Sequence, residues 1–161
     1  AARVGDSVAV PIMAQSFDET APSLSPDGRW LAYTSNEGGA YEIYLRPFPD
    51  VEDARIQVSI DGGVMPTWSH SGRELFYVNG PRDFVAAEID PASGRVLSRE
   101  PLFAYPQDAP LVSTSILVWA APGDQRFLMA RPFQGAAGEA AAGFVLVNNF
   151  FEELRQRAGS D

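Results

Sequence analysis

The sequence predicts an all-β chain of three blades of four-stranded antiparallel sheet, a partial β-propeller, followed by a short C-terminal helix. Three observations predict it. A self-similar segment returns at a blade-sized interval, each copy is built around a tight turn, and no helical period appears before the last residues.

Aligning the chain with itself exposes the repeat. Ala21-Pro22-Ser23-Leu24-Ser25-Pro26-Asp27-Gly28-Arg29-Trp30-Leu31-Ala32-Tyr33 matches Met65-Pro66-Thr67-Trp68-Ser69-His70-Ser71-Gly72-Arg73-Glu74-Leu75-Phe76-Tyr77 at an offset of 44 residues. Four-stranded propeller blades recur at about 40–45 residues. A third, weaker copy, Ala121-Pro122-Gly123-Asp124-Gln125-Arg126-Phe127-Leu128, follows at an offset of 52, with Gly and Asp exchanged in its turn.

Turn chemistry explains the pattern. In Ser25-Pro26-Asp27-Gly28, Pro presets φ, Asp can bond the backbone ahead of it and Gly accepts a positive φ. Apolar residues on either side read as strands, as in Trp30-Leu31-Ala32-Tyr33 and Leu75-Phe76-Tyr77. Third strands are expected at Tyr41–Leu45 and Phe84–Ile89, and fourth strands near Ile56–Ile60 and Leu102–Tyr105. The blades therefore span 17–61, 62–106 and, incompletely, 110–149, with strands at Thr114–Ala120, Arg126–Ala130 and Phe144–Asn148. Ala136–Gly143 reads as a flexible small-residue loop.

The ends complement one another. Val8–Ala14 reads as an orphan outer strand, and the third blade lacks its fourth. After it, residues 150–158 turn helical, with Phe150, Phe151 and Leu154 on the apolar side and Glu152 and Glu153 near the start, where the helix dipole favours them. A spare strand at one end and a missing one at the other is the arrangement of a ring-closing seam.

Composition narrows the function. Hydrophobic residues make up 45% and charged residues 20%, which is a globular balance. The formal charge of -9 excludes a phosphate-backbone reader, which needs clustered cations. There is no Cys, so disulfides and thiolate chemistry are excluded. The longest apolar run, Ile116–Ala121, is far short of the roughly 18 residues that cross a bilayer.

Candidate chemistry is sparse. The sole histidine, His70, takes the turn position of Pro26 and reads as a turn filler, so histidine-based triads and the usual zinc sites are unavailable. No Gly-x-Ser-x-Gly elbow occurs, since Thr67 precedes Trp68-Ser69-His70-Ser71-Gly72. Asp50, Glu52 and Asp53 read as a solvated loop. Glu42, Glu74 and Glu88 are the strand carboxylates that a funnel enzyme would need, and Glu74 and Glu88 are expected to face solvent. Trp30, Tyr33, Trp68, Phe76, Tyr77 and Trp119 are expected to fill the space between blades. Tyr41, Tyr44, Phe48, Phe103, Phe150 and Phe151 remain as interface candidates. No cofactor or metal is expected.

Phe17-Asp18-Glu19 with the Ala21–Tyr33 run, Tyr41-Glu42-Ile43-Tyr44-Leu45-Arg46-Pro47-Phe48-Pro49, and Trp68-Ser69 with Gly72–Tyr77 resemble the WD40-like PD40 repeat of TolB-like β-propellers. The ending Val145–Leu154 resembles the C-terminus of bacterial proteins of this group, many of which carry the propeller behind a serine/threonine kinase domain and a membrane anchor. The resemblance covers roughly residues 8–154 and implies the fold, with six blades the usual ring. It leaves function open, because propellers host many roles.

Three blades cannot close a ring, and the open faces would be aggregation-prone. The sequence therefore predicts a non-catalytic interaction or scaffold module, extracytoplasmic, docked on a larger and membrane-associated assembly. A protein partner or a second copy would cover the open side. The alternatives are the C-terminal sensor propeller of a receptor-type serine/threonine kinase and a hydrolase-type propeller enzyme.

Overall fold

The computed structural model describes residues 11–13, 15–107, 118–124, 126–134 and 140–147. Three antiparallel sheets make it up. Blade 1 is β1 (Glu19–Leu24), β2 (Trp30–Ser35), β3 (Glu42–Pro47) and β4 (Ile56–Gln57). Blade 2 is β5 (Val64–Trp68), β6 (Glu74–Val78), β7 (Asp83–Ile89) and β8 (Val96–Ala104). Blade 3 is β9 (Val118–Ala120), β10 (Phe127–Gln134) and β11 (Ala140–Val147). In every blade the strands pair in chain order. Among the described residues no helix is long and apolar enough to cross a membrane.

Several expected boundaries shift. The fourth strand of blade 2 runs from Val96, not Leu102, because β8 pairs along the whole of β7 from Ile89↔Val96 to Asp83↔Ala104. The fourth strand of blade 1 stops at Gln57, because Val58 and Ser59 turn their N–H groups onto the Ile43 carbonyl. Residues 140–143, read as loop, are strand paired to Gln134–Arg131. Pro11–Met13 form no strand, and the rest of the expected 8–14 strand lies outside the described residues, as does the 150–158 helix.

Period-2 alternation gives each sheet two working faces. Leu75, Tyr77, Val85, Ala87 and Ile89 of blade 2 pack with Trp30, Ala32, Ile43 and Leu45 of blade 1. The other face of blade 2, with Phe76, Val78, Phe84 and Ala86, packs against Val118, Phe127 and Met129 of blade 3. The Phe127 ring meets Phe76 and Phe84 edge-on, at 4.9 Å from each. Burial on both faces explains why β2 is buried along its whole length.

The repeat extends to backbone irregularities. Ala21 and Met65, 44 residues apart, adopt φ of 50° and 58° at bulges where β1 and β5 shift register. The three turns close alike: Gly28, Gly72 and Asp124 donate to the carbonyls of Ser25, Ser69 and Ala121. Asp124 thus holds the glycine position of the third turn, with φ of 55°. The exchange of Gly and Asp seen in the sequence leaves the hydrogen-bond pattern intact.

Candidate interaction surfaces

The interface candidates scatter. Tyr41 is exposed immediately before β3, and its hydroxyl donates to Asp18 Oδ2 at 2.6 Å. That hydrogen bond to a carboxylate raises the phenol above its ordinary pKa. Tyr44 is only 3% exposed, with Tyr33 5.9 Å from its ring and the Arg55 guanidinium 5.4 Å above it. Phe48 is half-buried, its N–H donating to the Arg29 carbonyl at 2.8 Å. Phe103 stacks on Phe84 at 5.0 Å and packs on the core between blades 2 and 3. Phe103 thus faces the packed space between blades 2 and 3, whereas Tyr44 stands on the outward face of blade 1 and is buried there beneath the Arg55 guanidinium. Phe150 and Phe151 lie outside the described residues.

Of the expected blade-to-blade aromatics, Trp30, Trp68, Phe76 and Tyr77 are buried between blades, whereas Tyr33 is buried on the outward face of blade 1 and Trp119 is not buried. Trp30 donates its indole N–H to the Pro91 carbonyl at 3.0 Å, and Trp68 donates to the Ser23 carbonyl at 3.1 Å. Each indole therefore ties one blade to its neighbour. Trp119 is 44% exposed. It stands on the face of blade 3 turned away from blade 2, where no further blade follows among the described residues. The signal that could have found it is its alignment with Thr67 and Ser23, residues that face the following blade.

The outward face of blade 1 is not the bare apolar surface expected of an open ring. The Arg46 side chain donates to Tyr33 Oη at 2.9 Å and to the Val51 carbonyl at 2.8 Å. Arg55 pairs with Glu37 at 2.5 Å beside them. Arg46 and Tyr44 stand where blade 2 carries Ala87 and Val85, as the registers Leu31↔Arg46 and Leu75↔Ala87 show. Polar side chains that satisfy one another cover part of this face. Leu24 on this face is 47% exposed. Nearby, a cleft of about 210 Å³ is lined by Ile12, Met13, Glu19, Thr20, Pro22, Leu31 and Tyr33.

The three strand carboxylates do not converge. Glu42 is taken up structurally, accepting from Ser59 Oγ and from the Gly62 N–H. Glu74 and Glu88 are direct cross-strand partners and, with Glu100, line a cleft of about 310 Å³. Burial raises the Glu74 pKa, and Asp124, Glu88 and Glu100 add to the effect. Among the described residues no group of three or more His, Asp or Glu could hold a metal ion. His70 binds the third blade: its N–H and Nδ1 both meet the Asp124 carboxylate, Nδ1 at 2.7 Å.

No family model matches the chain, and no curated protein matches it. Solved structures do. The oligogalacturonate lyase of Vibrio parahaemolyticus is similar over 85% of this chain and 40% of its own, at 11% identity and a TM-score of 0.60. TolB of Acinetobacter baumannii is similar over 86% and 32%, at 17% identity and a TM-score of 0.57. An oligogalacturonate lyase in complex with manganese is similar over 79% and 36%, at 16% identity and a TM-score of 0.53. The chain spans well under half the length of these proteins. Its architecture is that of a propeller module, three blades in extent. The fold is TolB-like.

Proposed function

We propose that the chain is a non-catalytic protein-interaction module, a propeller segment that docks on a larger extracytoplasmic assembly through its two outward faces. One observation carries this reading. Leu24 and Trp119 are exposed on the two terminal faces, at repeat positions which inside the chain make blade-to-blade contacts: Leu24 aligns with Trp68, and Trp119 with Ser23 and Thr67. It is this repeat position, and not exposure alone, that supports an interaction surface. The commitment of Glu42 to Ser59 and Gly62, and of His70 to Asp124, supports the non-catalytic half of the reading.

The test is native mass in extracts of the source cells. The expected result is migration well above the mass of one chain, lost on Trp119→Arg without loss of β-structure. Migration as a single chain in the extract overturns the proposal. A second reading, a sensor propeller within a longer polypeptide such as a receptor-type kinase, draws support from the short span relative to the solved structures. The full open reading frame tests it.

A further inference from the structure

The turns of successive blades touch at a fixed pair of positions. Pro26 of the first turn lies against Gly72 of the second, its Cδ 3.5 Å from where a Cβ on Gly72 would stand. His70, which aligns with Pro26, bonds Asp124, which aligns with Gly72. The second position of each turn therefore meets the fourth position of the next. Among the described residues two ends of this series are left over. At one, Pro122 aligns with Pro26 and His70 and is exposed. At the other, Gly28 aligns with Gly72 and Asp124, and a Cβ built there meets nothing within 4 Å.

These leftover ends match each other in kind. Pro122 and Gly28 would reproduce the Pro26–Gly72 contact. The neighbouring apolar pair is also complementary. Inside the chain, large Trp68 covers the backbone of small Ser23. Across the leftover faces the sizes are exchanged, with Leu24 in place of Trp68 and Trp119 in place of Ser23.

We infer that the occupant of both faces is a second copy of this chain. Two three-blade units meet head to tail, blade 3 of each on blade 1 of the other, and close a six-blade ring. Six blades fall within the range of about four to eight that close a propeller. The contact is heterologous at each seam yet closes after two copies, so no edge remains to propagate into a filament. This inference rests on the interaction reading and names its partner.

The experiment measures the mass of the purified whole chain in solution over a range of concentrations. The expected species has twice the mass of one chain. Leu24→Arg and Trp119→Glu should each weaken association by about 30-fold or more, the effect of losing an interface hot spot. Mixing the two variants should restore the dimer, because one seam is then wild type and the other pairs Arg with Glu. Only a head-to-tail contact gives that rescue. A wild-type chain that stays single at all concentrations overturns the inference, as does a dimer that ignores both substitutions. Either result leaves the broader reading to the cell-extract measurement, where a heavier species would then contain a different protein.

Discussion

His70 and Asp124 stand in the second and third turns where Pro26 and Gly72 stand in the first and second, and they convert an apolar contact into a hydrogen-bonded one. The Asp124 carboxylate receives the His70 N–H at 3.0 Å and sits 2.7 Å from its ring nitrogen. The backbone conformation of Asp124, with φ of 55°, is the one a glycine would take without strain.

Two substitutions separate these effects. Asp124→Ala loses the acceptor and keeps the positive φ, so unfolding in urea should show a loss of about 1–3 kcal/mol. Asp124→Gly loses the same acceptor but removes the strain, and should recover about 1 kcal/mol of that loss.

Gly94 and Gly28 form a matched contrast. Both have positive φ, 70° and 72°. A Cβ on Gly94 would stand 2.5 Å from the Trp30 ring, whereas one on Gly28 meets open space. Gly28→Ala should cost about 1 kcal/mol from backbone strain alone. Gly94→Ala adds overpacking against a buried indole, for a total loss of about 2–4 kcal/mol, read from the shift of the denaturant midpoint.

Arg46 is the keystone of the outward face of blade 1. Arg46→Met leaves the Val51 carbonyl and the Tyr33 hydroxyl without their donor, and should destabilise by about 2–4 kcal/mol. Tyr33→Phe removes one bond and should cost about 1 kcal/mol. The double variant should cost less than the sum, since both changes break the same network.

Glu74 predicts the sign of a pH effect. Its folded-state pKa lies above the ordinary 4.5, chiefly through burial, so the folded state holds this proton more tightly than the unfolded chain. Its contribution is fully favourable below that ordinary value and is lost as pH rises through the higher folded value. Glu74→Gln should therefore gain stability relative to wild type at pH 7. Thermal unfolding at falling pH should show the gap closing through the carboxylate range.

The repeat made the fold legible. A shared turn at an offset of 44 residues located both complete blades, and the 52-residue offset located the third although its turn residues are exchanged. The outer strands were harder to place. β8 is exposed along most of its length and carries Ser98, Arg99, Glu100 and Pro101, so no apolar alternation announces it. Individual surface residues were least legible. Tyr44 and Tyr41 differ by three positions, yet one is buried and the other bonds Asp18 in the open. Local propensity cannot distinguish them; only the presence of the loop at Val51 and the guanidinium of Arg55 does. Trp119 was misjudged for a related reason: the alternation that buries its neighbour Val118 turns Trp119 to the terminal face.

The Tyr33–Arg46–Val51 network has a kinetic consequence. In a repeat array each unit depends on its neighbours, and a unit whose outer face carries its own hydrogen-bonded network depends on them less. Blade 1 is that unit, its contacts are local in sequence, and local contacts form early. Changes at Arg46 should therefore slow refolding, while changes at Asp124, where the last blade joins, should mainly speed unfolding. The chain would fold from blade 1 toward blade 3.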